Sequence, residues 1–140
     1  MMKYFAYGMN TNYDGMKHRC PSAISLGRAT LPDHKFRFAD HADIVEQPGS
    51  FVEGLLWEIT DECERSLDAL EGYPFYYEKK YVTIWYQGQL ETAMVYYMVP
   101  GHNDSPPSNF YLETVLEGYE EHGISAMQII EAIDLVTGDN

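Results

Sequence analysis

Short runs of apolar residues, in places alternating with polar ones, recur along the chain and are typical of β-strands. They predict strands over residues 3–7, 24–31, 36–38, 51–59, 76–85 and 92–99. Apolar residues at helical spacing predict helices over residues 12–18, 61–71 and 108–123, and a last helix from residue 125. Turns are expected at Pro32-Asp33, Pro48-Gly49 and Gln87-Gly88.

Polar side chains that cap helices mark the predicted helix starts. Asn12, Thr60 or Asp61, and Ser108 each precede a helical run and can accept a hydrogen bond from its first turn. Ser125 with Gln128 three residues later has the spacing of a capping box, which would open the last helix.

The order of these elements, mostly strands with helices inserted, favours an α+β fold. We expect a small mixed β-barrel-like sheet with flanking helices, because the strand spacings suit hairpins. No repeat, linker or low-complexity segment interrupts the sequence, so a single domain over residues 1–140 is predicted.

The segment before Pro74 combines an apolar helix face with strong stop signals. Cys63, Leu67 and Leu70 recur at helical spacing, and Gly72 and Pro74 then end the helix. The last helical residue is therefore a glutamate, Glu71. We expect it to be the most informative position in the chain.

Glu71 is poorly placed for stability. The negative end of the helix dipole opposes its charge, and the neighbouring leucines favour its neutral form, so its pKa should be raised. A carboxyl group in such a place is a candidate for acid–base chemistry. The alternative is a solvated glutamate at a frayed helix end.

A second candidate feature follows the first strand. The strand ends in Tyr7-Gly8, and a helix is expected from Asn12, so several backbone N–H groups should point into one loop. Such a loop can bind an anion. It lacks the glycine spacing and the lysine of a phosphate loop, and the alternative is an ordinary tight turn.

The charge of the chain argues against some classes of binding partner, and its cysteines bear on the expected location. The net charge is −13 with no basic patch, which argues against nucleic acid and acidic membrane surfaces as partners. No apolar run approaches membrane-spanning length and the first residues do not resemble a signal peptide, so a cytoplasmic location is expected. Cys20 and Cys63 could pair in principle, but reduced, buried thiols are the expectation for that location.

The sequence contains few motifs for other kinds of catalysis or for metal binding. No serine or cysteine shows a nucleophile motif, and the five histidines show no metal-ligand spacing. His34, His41 and His122 are expected on the surface or in loops; Asp40 and Asp43 around His41 are either a cation site or, the favoured interpretation, part of a solvated loop. One unusual glutamate, one N–H-rich loop and 12 tyrosines suit acid–base chemistry on a small anionic substrate, without metal or cofactor.

Several motifs resemble those of the gamma-glutamylcyclotransferase-like family, and they occur in order over nearly the whole chain. The residues Tyr4 to Asn10 are similar to its N-terminal Tyr-Gly-Ser-Asn motif, and Pro48-Gly49 with Val52-x-Gly54-x-Leu56-Trp57 to its central strand. The catalytic segment of that family resembles Leu67-Asp68-x-x-Glu71-Gly72. Its Pro-Ser-x-x-Tyr helix resembles Pro107-Ser108-x-x-Tyr111 and the residues up to Ile124.

The resemblance implies a small α+β barrel that cleaves γ-glutamyl amides to 5-oxoproline and a free amine or amino acid, with no metal or cofactor. Glu71 would be the general acid–base. The loop Tyr7, Gly8, Met9 and Asn10 would hold the γ-glutamyl group, and Tyr111 would bind substrate through its hydroxyl. Met9 replaces the family's usual serine, which leaves substrate choice or activity open.

Three alternatives remain at this point. The aromatic run around Tyr76-Tyr77 is similar to that of relatives acting on γ-glutamyl-amines, so a γ-glutamylamine cyclotransferase is one. A non-catalytic small-molecule binder with the same fold is another, and a structural interaction domain is the third. The expected partner is a small γ-glutamyl molecule, and the expected assembly a monomer or a homodimer.

Overall fold

The computed structural model describes residues 2–138, in which five strands form a closed barrel flanked by helices. The strands are β1 (Met2–Ala6), β2 (Ile24–Ala39), β3 (His41–Ile59), β4 (Tyr77–Tyr86) and β5 (Gln89–Met98). The helices are α1 (Tyr13–Arg19), α2 (Asp61–Glu71), α3 (Asn109–His122) and α4 (Met127–Thr137). The predicted α+β fold with a barrel-like sheet is confirmed.

The barrel is mixed because one pair of strands is parallel. Its strand order is β1-β3-β2-β4-β5, and it closes where β1 runs parallel to β5 at Tyr4 and Met94. The other neighbours are antiparallel. Leu55, Leu56 and Trp57 are consecutive and all buried, as expected where a strand is covered on both faces.

The β2–β3 hairpin is longer than the sequence predicts. The chain turns at Asp40, which has a φ of 67°, and the expected breaks at Pro32-Asp33 and Pro48-Gly49 lie inside the strands. Pro32 pairs with Phe51 while His34 pairs with Glu46, so residues 47–50 form a bulge opposite Asp33. The turn signals were therefore wrong as strand ends, because a bulge accommodates them within the ladder.

The residues expected to begin and end the helices predicted the structure better than the turn signals did. The side chains of Asn12, Thr60 and Ser108 each accept a hydrogen bond from their helix's first turn. Gly72 and Gly123 end α2 and α3 in the left-handed conformation, with φ of 67° and 66°. These local interactions need only neighbouring residues, which is why the sequence shows them.

The capping box expected at Ser125 and Gln128 is only half formed: the hydroxyl of Ser125 accepts the N–H of Met127, at 3.2 Å, but the side chain of Gln128 does not bond back to Ser125. The N-cap of α4 is Ala126, which makes no capping hydrogen bond through its side chain. Gln128 donates instead to the carbonyl of Glu53, at 2.8 Å, and to the hydroxyl of Tyr119, at 2.7 Å. These two hydrogen bonds fix α4 to β3 of the barrel and to α3.

The expectation of two reduced thiols is also wrong. Cys20 and Cys63 form a disulfide, with their Cα atoms 5.1 Å apart and a sequence separation of 43. The bond joins the end of α1 to the first turns of α2, and both residues are buried. No helix of residues 2–138 has both the length and the apolar character needed to cross a membrane.

Candidate active site

A cavity of about 220 Å³ lies between the loop that follows β1, the end of α2 and the start of α3. All six site residues named from the sequence line it. The remaining lining residues are Tyr4, His41, Ala42, Ala69, Leu70, Gly72, Tyr76, Tyr77 and Tyr96.

Glu71 is the carboxylic acid on the cavity wall. It is half-buried as the last residue of α2, directly before the left-handed Gly72. Burial raises its pKa to about 7, whereas the charge of Arg19 and a hydrogen bond from Asn10 act in the opposite direction. The direction agrees with the expectation from sequence, but of the two leucines expected to be buried beside Glu71 only Leu67 is buried, and Leu70 is exposed. The group can therefore both accept and donate a proton near neutral pH.

Asn10, in the loop after β1, contacts Glu71 on the cavity wall. Its Nδ2 atom donates to Oε2 of Glu71, at 3.2 Å, and to the hydroxyl of Tyr4, at 2.9 Å. Its backbone carbonyl accepts from Nε1 of Trp57, at 2.9 Å. The residue is buried, and its Oδ1 atom has no hydrogen-bond partner among the described residues.

The loop after β1 forms a short 3-10 turn, Met9–Thr11, before α1 begins. The N–H and the hydroxyl of Thr11 both bond to the carbonyl of Gly8, at 3.1 and 2.7 Å. Among residues 2–138, the N–H groups of Gly8 and Asn10 have no backbone partner in the turn, and the N–H of Met9 donates to the hydroxyl of Tyr111. The N–H-rich loop expected from the sequence is thus present beside Glu71.

Gly8 is needed where the loop approaches α3. A Cβ atom at this position would lie 3.0 Å from the Cβ of Ala42 and 3.1 Å from the hydroxyl of Tyr111. The absence of a side chain therefore lets Tyr111 reach the cavity.

Tyr111 and Tyr7 use their hydroxyls differently. The Tyr111 hydroxyl accepts the N–H of Ala42, at 3.1 Å, and burial raises its pKa, so it keeps a proton that it can donate into the cavity. The Tyr7 hydroxyl donates to the carbonyl of Tyr96, at 2.7 Å. Tyr7 thus lines the cavity mainly with its ring.

Comparison with known proteins identifies the family. The family model "Gamma-glutamyl cyclotransferase, AIG2-like" matches residues 4–113, a range that contains all of the candidate site residues. The chain belongs to this family. The predicted resemblance is therefore confirmed.

Individual family members agree with this assignment. Gamma-glutamylcyclotransferase of Bos taurus is 31% identical over an alignment 134 residues long, and the alignment includes 86% of this chain and 71% of the relative. A solved structure named gamma-glutamyl cyclotransferase has a TM-score of 0.85 at 27% identity, covering 99% of this chain and 89% of that one. An AIG2-like protein of Mus musculus shares the fold, with a TM-score of 0.59 at 20% identity and coverage of 80% and 82%.

Several cavity residues of this family member were not predicted from its sequence. His41 was expected on the surface or in a loop; its side chain is 41% exposed, and it also lines the cavity with Nδ1 3.2 Å from the hydroxyl of Tyr76. The hydroxyls of Tyr77 and Tyr96 bond to the carbonyl of Ala42 and to Asp68, both at 2.6 Å. The only feature of the sequence that indicated a cavity lined by tyrosines was their number, 12.

The other polar predictions need correction. Asp43 is neither a cation ligand nor solvated: it is buried and bonds to Arg37 Nε and to the N–H of Met98, each at 2.8 Å. His34 is buried rather than on the surface, and half-buried His122 packs against Trp57. No group of three or more His, Cys, Asp or Glu side chains within residues 2–138 could hold a metal.

Proposed function

We propose that this protein is a γ-glutamyl cyclotransferase, which converts a γ-glutamyl amide to 5-oxoproline and a free amino acid or amine. The observation that carries the proposal is the Glu71 carboxyl group, with a pKa of about 7, on the wall of a cavity beside an N–H-rich loop. Family membership supports the same reaction.

In the proposed reaction Glu71 acts first as a base and then as an acid. The ionised carboxylate takes a proton from the α-ammonium group of the substrate. The free amine attacks the γ-carbonyl carbon, and the C–N bond to the leaving amine breaks as that nitrogen receives the proton from Glu71. The second proton of the new ring nitrogen then passes through Glu71 to the released amine, which leaves as an ammonium ion. The product ring contains the new amide bond, and no water is consumed. A pKa near the working pH suits both transfers.

Substrate groups match the polar atoms around Glu71. Oδ1 of Asn10 is a buried acceptor without a partner among the described residues, so it can accept from the α-ammonium group. The N–H groups of Gly8 and Asn10 can bind the α-carboxylate or the oxyanion that develops on the γ-carbonyl, beside the Tyr111 hydroxyl to which the N–H of Met9 donates. The hydroxyl of Tyr111 can donate to the same oxygens.

The ring closure mainly requires orientation. Holding the α-amine and the γ-carbonyl in contact can lower the barrier by roughly 7–11 kcal/mol, so the proposed reaction needs no covalent intermediate, metal or cofactor. The lining of the cavity supports this role, because buried hydroxyls and Asn10 are fixed by hydrogen bonds to the barrel.

We further propose an amino acid as the leaving group. The bovine relative, 31% identical, is named gamma-glutamylcyclotransferase, and the structure of that name has the higher TM-score, 0.85 against 0.59 for the AIG2-like protein. The aromatic surfaces of His41 and Tyr76 would also accommodate an uncharged amine. A γ-glutamylamine cyclotransferase is therefore the second candidate.

A panel of donors separates these candidates. The protein is incubated with γ-glutamyl-amino acids and with γ-glutamyl-amines, and 5-oxoproline is quantified by mass spectrometry. Release from the amino acid conjugates supports the first candidate, and release from the amines alone supports the second. Thermal stabilisation by the donors without any product would identify a non-catalytic binder and contradict the proposed activity.

A further inference from the structure

Arg19 lies directly behind the cavity wall. It is the last residue of α1, and its Nη2 atom is 3.7 Å from the sulfur of Met9. Met9 lines the cavity and Arg19 does not. The guanidinium group is therefore separated from the cavity by the Met9 side chain.

The guanidinium group is held in an unusual state. Its Nη1 atom is buried without a hydrogen-bond partner among the described residues, and Arg19 forms no ion pair within that part of the chain. Nη1 lies only 2.5 Å from where a Cβ atom would stand at Gly15, so the glycine leaves room for it. A buried donor without a partner is unfavourable, which suggests a role other than stability.

The position of Arg19 is coupled to the helix that carries Glu71. The next residue, Cys20, is joined by the disulfide to Cys63 of α2. Since α2 ends at Glu71, the cation at the end of α1 and the carboxyl group belong to two helices that are covalently fastened together.

The other polar side chains that line the cavity are tyrosines, Asn10 and His41. They come from each neighbouring element and comprise Tyr4 of β1, Tyr7 and Asn10 of the loop after it, His41 of β3, Tyr76 just before β4, Tyr77 of β4, Tyr96 of β5 and Tyr111 of α3. On α2 itself, Asp68 is bound to Lys79 and Tyr96. Among the described residues, Arg19 is thus a permanently charged cation that lowers the pKa of Glu71.

We propose that Arg19 is a positioning residue whose charge, held behind Met9, stabilises the ionised form of Glu71 without touching the substrate. The inference rests on the proposed role of Glu71 as the base. Burial raises the pKa of Glu71, and the charge of Arg19 acts in the opposite direction, towards the ionised form. Because Met9 lies between the guanidinium group and the cavity, Arg19 does not compete with the loop after β1 for the carboxylate of the substrate.

The first test is the pH dependence of kcat/KM. In Arg19→Gln and Arg19→Met the acid limb should move to higher pH by about half a unit or more, with activity recovering at alkaline pH. Arg19→Lys keeps the charge and should keep the limb near that of the wild type. Arg65→Met removes an exposed cation from α2 and is the matched control.

A purely structural role would give a different result. It would lower kcat/KM by the same factor at every pH, in Arg19→Lys as well as in Arg19→Met, and that outcome would overturn the proposal. Two charge-free variants are used so that the failure of one to fold leaves the other for the test.

A second readout does not depend on activity. The carboxyl carbon of Glu71 is followed by NMR during a pH titration of the wild type and of Arg19→Met, with Glu71→Gln to assign the signal. A higher pKa in Arg19→Met supports the electrostatic role even if no donor is turned over, in which case the proposed function alone fails. An unchanged pKa overturns the role of Arg19 even if the wild type is an active cyclotransferase.

Discussion

The side-chain nitrogen of Asn10 lies 3.2 Å from Oε2 of Glu71, although the two residues are 61 positions apart in the chain. This hydrogen bond joins the loop after β1 to the end of α2 at the cavity wall. A donor in this position stabilises the carboxylate, so it lowers the pKa that burial raises. The loop after β1 thus supplies the donor, and α2 the carboxyl group, at the proposed reaction centre.

Removing this donor should impair Glu71 as a base. In Asn10→Ala the pKa of Glu71 rises further above its ordinary value, and we expect kcat/KM at neutral pH to fall by about tenfold or more. The free energy of unfolding should fall by about 1–3 kcal/mol, because the hydroxyl of Tyr4 also loses its partner. Kinetics and urea unfolding of Asn10→Ala measure both effects, with exposed Asn103→Ala as control. Unchanged activity in Asn10→Ala would contradict the role of Asn10.

The raised pKa of Glu71 also predicts how stability depends on pH. Between about 4.5, the ordinary value, and about 7, the folded protein binds more protons at this group than the unfolded chain does. The contribution of Glu71 to stability is therefore complete below 4.5 and decreases as the pH rises to about 7. At one pKa unit per 1.4 kcal/mol, the loss is on the order of 3 kcal/mol.

Glu71→Gln isolates this effect, since glutamine does not titrate. Urea unfolding at acid and at alkaline pH gives the difference in unfolding free energy between the variant and the wild type. That difference should favour the variant more strongly at alkaline pH. If it were the same at both pH values, Glu71 would not have a raised pKa in the folded protein.

Tyr111→Phe tests the hydroxyl at the start of α3. The variant loses a donor to the oxygens of the substrate, and loss of one such donor lowers kcat by about 100-fold or more. Its unfolding free energy should fall by about 1–3 kcal/mol, because the N–H of Ala42 is left without that acceptor. Tyr81→Phe, which removes an exposed hydroxyl, is the control for both measurements. A Tyr111→Phe variant with full activity would show that the hydroxyl does not take part.

The disulfide between Cys20 and Cys63 should contribute strongly to stability. For a closed loop with a sequence separation of 43, chain entropy predicts a loss of about 4 kcal/mol in the double variant Cys20→Ser/Cys63→Ser. Thermal unfolding of the wild type with and without a reductant provides a second comparison. Detection of two free thiols in the unreduced, denatured protein would disprove the bond.

The features that the sequence predicts well depend on neighbouring residues. Thr60 caps α2 and Gly72 ends it, so Glu71 could be placed at a helix end before its surroundings were known. The N–H-rich loop followed in the same way from a strand, a glycine and Asn12 as the next N-cap. The motifs that identify the family lie on these same segments.

The features that were not predicted from the sequence depend on residues far apart in the chain. Gln128 bonds to Glu53, 75 positions away, instead of capping its own helix. His41 reaches the cavity because the chain turns at Asp40, and Pro48-Gly49 lies in a bulge opposite Asp33. The disulfide brings together two cysteines whose spacing carries no motif. Each outcome was decided by tertiary contacts, which local patterns do not contain.

The most direct test of the central claim is 5-oxoproline release by the wild type, Glu71→Gln and Glu62→Gln, each with a γ-glutamyl-amino acid and a γ-glutamyl-amine. Glu62 is exposed on the same helix, so its variant controls for the loss of a carboxylate from α2. We predict release by the wild type and by Glu62→Gln, and a loss of about 100-fold or more in folded Glu71→Gln. Near-wild-type release by Glu71→Gln, or no release by the wild type from either donor, would contradict the account.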